Sequence, residues 1–229
     1  MTELERTGDW WSAAVTRFKT HWFIKSLGTT GGIAGFMWVY FWLLRHPLFP
    51  VTVMPLTWVD RLIGFQSWSL IPYASLWVYI SLVPGLLNLR REMAPYLSAV
   101  SLLSLAGFAI FLFWPTAVPP PDVDWARYPS IEFLKTVDTS GNACPSLHVA
   151  FAVLTALWLH RILKELRAPW PPRLLNVCWC ALIAWSTLAT KQHVMVDLET
   201  GAILGWMVAA LHLYVLPRFR ILDGLTESG

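Results

Sequence analysis

Charge is what this chain has least of. Only 14% of its 229 residues are charged, against 56% that are hydrophobic. Soluble domains carry about 25% charged residues, so the composition is that of a membrane protein. The net charge of +3 is small and gathered at loop ends, which gives no footing to a nucleic-acid partner. Cysteine is scarce as well. Cys144, Cys178 and Cys180 make an odd count, which excludes a fully paired disulfide framework. Cys178 and Cys180 are two apart in an expected helix and point about 200° apart, a poor arrangement for a metal. They read as small packing residues. No apolar core opens the chain: Glu3, Glu5, Arg6, Asp9, Arg17 and Lys19 crowd the first 25 residues, so no cleavable signal peptide is expected. No lipidation motif stands at either end. Without an internal repeat or a low-complexity linker, the length fits one bundle.

What the chain does have is long apolar runs. A membrane span needs about 20 such residues, and six stretches qualify: roughly 26–44, 69–88, 96–115, 147–163, 175–190 and 197–216. The expected fold is therefore all-α, a six-transmembrane-helix bundle. Before it, Trp11, Val15, Phe18 and Trp22 share one helical face, which predicts an interfacial helix lying on the bilayer. His21 beside it is expected to face solvent or headgroups. The parts are then a cytoplasmic N-terminal interfacial helix at 1–25, the six-span catalytic domain at 26–217 and a cytoplasmic tail at 218–229.

Lysine and arginine set the orientation. Twelve of the seventeen fall at one set of span ends and five at the other. The termini are expected to be cytoplasmic, as in a bacterial inner membrane. In the external loop 45–68, Thr57 can cap a short helix with Asp60 three residues on. In loop 116–146, Pro115, Pro119, Pro120 and Pro121 forbid a regular helix at the start. Ser130 to Val137 then reads as a second short helix, with Ser130 as its cap. Both loops are expected to carry short interfacial helices that lid the outer surface.

Two polar stretches interrupt this pattern, Asn142 to His148 and Lys191 to Asp197. Pro145 and Ser146 are expected to open the fourth span. A helix N-terminus has N–H groups without partners and the positive end of the dipole, which suits an anion. Ser146 adds a hydroxyl, and His148 falls in the first turn. His193 and Asp197 are four apart, on one face of a helix. A carboxylate on one imidazole nitrogen fixes the tautomer and leaves the other nitrogen as base or nucleophile. Lys191 brings a positive charge and Gln192 a neutral donor. His46, His160 and His212 have no motif around them and read as structural. This is a phosphate-binding set with a nucleophile attached, and phosphoryl transfer needs mainly positioning and charge stabilisation.

Pro145-Ser146-x-His148 and Ser186-Thr187-x5-His193-x3-Asp197 resemble the second and third signature motifs of the type 2 phosphatidic acid phosphatase superfamily. The resemblance covers roughly residues 96–216. It implies a metal-independent reaction, with no cofactor, through a phosphohistidine. His193 would be the nucleophile, Asp197 its orienting partner, His148 the acid for the leaving oxygen and Ser146 a holder of phosphate oxygens. Two features depart from the family. Its first motif, a lysine followed after six residues by Arg-Pro, is missing, since no Arg-Pro pair occurs. The arginine usual in the third motif is Thr187. Lys191, with Arg127 or Lys135 from the second external loop, is expected to replace these cations. The run Thr190 to His193 is similar to the inositol phosphorylceramide synthase-like branch. The resemblance thus implies an enzyme of the external membrane face acting on a lipid phosphate, with water as acceptor in a phosphatase. The alternatives are a phosphotransferase that uses an alcohol acceptor, and a non-catalytic protein that binds or transports lipid phosphates. The sequence is silent on oligomeric state and on which lipid is used.

Overall fold

The computed structural model describes residues 3–89, 91–128 and 141–216. Helix α1 (Glu3–Lys19) exposes Trp11 and Phe18 and buries Ala14. The chain turns at His21, which is exposed and left-handed (φ 56°), and enters α2 (Trp22–Arg45). Lys25 is buried at this junction. Its ammonium donates to the carbonyls of Arg17 (2.7 Å) and Gly85 (2.8 Å), which pins the surface helix to the bundle.

After α2 come strand β1 (Thr52–Val53), the short helix α3 (Trp58–Leu62), a 3-10 turn at Ser67–Ser69, and helices α4 (Leu70–Ala74) and α5 (Leu76–Leu86). Helix α6 (Met93–Phe113) leads to strand β2 (Thr116–Ala117). Three helices close the chain: α7 (Leu147–Glu165), α8 (Trp170–Ala189) and α9 (Met195–Ala210), the last extended by a π turn at Leu211–Val215. Among the described residues the protein is all-α apart from two short strands. Among the described residues, five helical segments are long and apolar enough to cross a membrane: Trp22–Arg45, Ser67–Leu86, Met93–Phe113, Leu147–Glu165 and Met195–Val215. The chain is an integral membrane protein. Helix α8, the remaining expected span, has 20 residues, about 30 Å at 1.5 Å per residue. It is long enough to cross but is not among the five; its first two turns carry Arg173 and Asn176.

Helix α7 is the centre of the bundle. It packs on α5, α6, α8 and α9, and Val149, Leu154 and Ile162 are almost wholly buried. Its contact with α9 is the tightest. A methyl group added at Gly201 would stand 2.3 Å from the carbonyl oxygen of Ser146, and one at Gly205 would stand 2.3 Å from that of Ala150. The two glycines are one turn apart, so they open one face of α9 to the backbone of α7, as small residues do between membrane helices. The segments that follow α2 and α6 are sewn together at one end of the bundle. Strand β1 pairs in parallel with β2, Thr52 opposite Thr116 and Val53 opposite Ala117, and Ala117 bridges Gly141. Sequence periodicity did not anticipate this sheet, because two residues are too few to show a period.

Thr57 does cap α3, in a capping box with Asp60, as expected. Among its described residues the second loop carries strand β2 and a 3-10 turn at Trp125–Arg127. The helix expected at Ser130 to Val137 lies outside the described residues, with Lys135 in it, as do Arg218 and Arg220 in the tail.

Gly201→Ala should lower the thermal stability of the purified protein markedly. Overpacking of this kind costs about 1–3 kcal/mol, and here the obstacle is backbone. Gly35→Ala, with nothing within 4 Å of the added carbon, should leave the melting temperature unchanged or raise it. Equal effects of the two substitutions in a thermal-shift assay would contradict the packing described.

Candidate active site

The two polar stretches meet because α7 and α9 touch backbone to backbone at their first turns. The Ser146 amide donates to the Asp197 carbonyl at 2.9 Å, and the Cys144 thiol lies 3.3 Å from the Thr200 hydroxyl. Each stretch opens with a left-handed residue, Asn142 (φ 49°) and Lys191 (φ 58°). Asparagine adopts this conformation more readily than lysine, for which it is uncommon. Such strain persists only where the surroundings enforce it.

Helix α7 begins at Leu147, where the fourth span was expected to start, so Pro145 and Ser146 precede it. Ser146 is its N-cap, and its hydroxyl oxygen accepts from the Val149 amide at 3.3 Å. Pro145 therefore precedes the cap and is not in the first turn. Ser146 is fully buried. Its oxygen serves the cap, and its hydroxyl proton is not used by that bond. Cys144 is an unsuitable nucleophile: burial raises its thiol pKa, with a smaller opposing effect from Thr200 and a reinforcing one from Asp197.

His148 lies face to face with Tyr73 of α4, with ring centroids 4.1 Å apart and planes 16° apart. The imidazole hydrogen-bonds the Tyr73 backbone, while its Nε2 is buried without a partner. That nitrogen is the one left to exchange a proton. His193 is close enough to His148 for a charge on one to be felt at the other. Its Nδ1 lies 3.5 Å from Asp197 Oδ2. Asp197 is fully buried, and its Oδ2 accepts from the Val194 amide at 3.0 Å, so the carboxylate caps α9 and stands beside the imidazole at once. The expected pair is brought together, at a distance one small rotation longer than a hydrogen bond. Catalytic hydrogen bonds are often long before substrate binds.

Five buried side-chain atoms without a hydrogen-bond partner fall in these stretches: Asn142 Nδ2, His148 Nε2, Gln192 Nε2, His193 Nδ1 and Asp197 Oδ1. An unmet buried polar group costs about 1–3 kcal/mol and is uncommon in native proteins. Here they gather around two histidines, and Asn142 and Gln192 contribute amide donors.

A cleft of about 260 Å³ opens beside His193, with Lys191, Asp60, Arg61 and Asp122 among its walls. The Lys191 ammonium donates to the carbonyls of Asp60 (3.2 Å) and Ile63 (2.5 Å). Burial lowers its pKa, with Asp60 pulling the other way. Lys191 thus lines the cleft, and it also ties the segment carrying α3 to the bundle. Arg127 is not on the cleft wall. It is exposed and paired with Asp124 at 2.9 Å, so the structure does not bring it to His193.

Asp60 acts as a hub. It is 7% exposed. Its Oδ2 accepts from the Thr57 amide (2.7 Å) and hydroxyl (2.8 Å), and its Oδ1 from the Met195 amide at 2.8 Å. One carboxylate therefore holds the cap of α3 and the first residue of α9. Sequence reasoning found its capping role and missed its reach to Met195, 135 residues away; no local pattern encodes that contact.

The family model of the PAP2 superfamily matches residues 95–221. The chain belongs to the PAP2 superfamily. The match spans α6 to α9 and includes both polar stretches. No curated protein and no solved structure gives a significant match. Members of this superfamily are phosphatases and phosphotransferases, so the protein is a membrane enzyme of the phosphatase family.

Asp60→Ala should remove three acceptor contacts at once and lower stability by about 1–3 kcal/mol. Asp60→Asn, which keeps an acceptor oxygen, should lose less. Equal melting temperatures for wild type and Asp60→Ala would show that the hub does not hold the loop.

Proposed function

We propose that the protein is a metal-independent lipid phosphate phosphatase working through a phosphohistidine. The observation that carries this reading is the gathering of buried, unpartnered polar atoms on Asn142, His148, Gln192, His193 and Asp197. A phosphoryl group offers acceptors to the amides and an electrophile to an imidazole. In the first step the His193 ring nitrogen remote from Asp197 attacks phosphorus, and the bond from phosphorus to the lipid oxygen breaks. His148, as imidazolium, delivers its Nε2 proton to the departing alkoxide; such acid help is worth about 10²–10⁴ in rate. Asp197 stabilises the positive charge gained by His193. In the second step water attacks phosphorus, its proton goes to His148, and the phosphorus–nitrogen bond breaks to release phosphate. Ser146 donates its hydroxyl proton to a phosphoryl oxygen, and Lys191 adds its charge from the cleft wall. Phosphoryl transfer asks for little beyond such positioning and charge.

We assign α8 as the sixth span. It joins the far end of α7 to the near end of α9, so it must return through the same depth. With the basic residues concentrated at the ends opposite the site, the termini are cytoplasmic and the cleft faces outward. A lipid phosphate of the outer leaflet reaches it laterally.

Purified protein incubated with phosphatidate should release inorganic phosphate, and His193→Ala should lower the rate at least about 10³-fold, as loss of a nucleophile does. Transfer of the phosphoryl group to an added alcohol, without free phosphate, would replace this reading with the phosphotransferase one. Full turnover by His193→Ala would refute both.

A further inference from the structure

The family's usual phosphate-binding arginines are missing, and the cations expected in their place are only partly suited to the task. Lys191 has its ammonium on two backbone carbonyls, and Arg127 is paired away from the cleft. One other cation stands on the cleft wall with His193. Arg61 lines it, is exposed, and has no hydrogen bond or ion pair among the described residues. We infer that Arg61 is the guanidinium that takes the lipid phosphate, presented to the cleft by the tie between α3 and the His193 loop. This inference rests on the phosphoryl-transfer reading above.

The register of α3 supports the assignment. Trp58 and Leu62 are four apart and 73% and 72% exposed. They form one apolar edge, of the kind that lies at a membrane interface. Asp60 points the opposite way, into the protein, where Met195 and Thr57 hold its carboxylate. Arg61, one residue and about 100° further on, stands between the lipid-facing edge and the anchored one. The tie fixes its distance from the nucleophile: Lys191 binds the carbonyls on either side of it, those of Asp60 and Ile63, and the Gln66 amide donates to the Ala189 carbonyl at 3.0 Å. A guanidinium held at the level of the headgroups can grip two phosphate oxygens at once. It can do so before the lipid reaches His193.

The test is titration of inorganic phosphate into the full-length protein in nanodiscs of neutral phosphatidylcholine, paired with the rate of phosphatidate hydrolysis. Arg61→Ala should weaken phosphate binding about 10–100-fold, the scale of a lost charge-assisted hydrogen bond. It should raise KM for phosphatidate by a similar factor and change kcat less. Arg61→Lys should recover part of the affinity. Arg161→Ala, at the other end of α7, should bind as wild type does. Wild-type affinity in Arg61→Ala, with turnover still dependent on His193, would overturn the Arg61 assignment alone. Neither phosphate binding nor turnover in the wild type would overturn the phosphoryl-transfer reading, and the assignment with it.

Discussion

The site depends on one contact, the backbone approach of α7 and α9. In a bilayer the hydrophobic effect does not drive helices together, so close packing and hydrogen bonds must do it. Gly201 and Gly205 let the two helices come within backbone reach, and the Ser146 amide then closes on the Asp197 carbonyl. These are the first turns of both helices, so His148 and His193 are brought together by the same contact. A side chain at either glycine would separate the histidines and unpack the bundle centre together.

A second layer of constraint comes from outside the bundle. The paired strands β1 and β2, the Asp60 hub and the Lys191 tie fasten the segments after α2 and α6 to the start of α9. These contacts hold Lys191 in a backbone conformation that lysine seldom adopts. The result is a polar site with an anchored backbone and with buried, unpartnered atoms on Asn142, His148, Gln192, His193 and Asp197. That combination fits the needs of phosphoryl transfer, where the protein must place charges before the reaction begins.

Much of this was legible in the sequence, for physical reasons that differ by feature. The helices followed from the length of apolar runs. The capping of α3 followed from Thr57 and Asp60, because a cap is a local pattern. The pairing of His193 with Asp197 followed from helical spacing, although the carboxylate turned out to serve the Val194 amide as well. What stayed hidden was non-local. Nothing in the spacing of Asp60 and Met195, or of Thr52 and Thr116, signals that they touch. Arg61 carries no motif of its own, since its relation to the cleft exists only once Lys191 has tied the loop in place. Pro145 lies outside the helix it was expected to open, because the serine next to it is the cap.

The phosphohistidine proposed at His193 is open to direct measurement. Rapid quenching of the wild-type protein with phosphatidate labelled at phosphorus, followed by peptide mapping, tests it most directly. Label is expected on the peptide that contains His193, stable in alkali and lost in acid as a phosphoramidate is. Label on a serine or threonine peptide that survives acid, or turnover with no protein-bound label at any quench time, would contradict it.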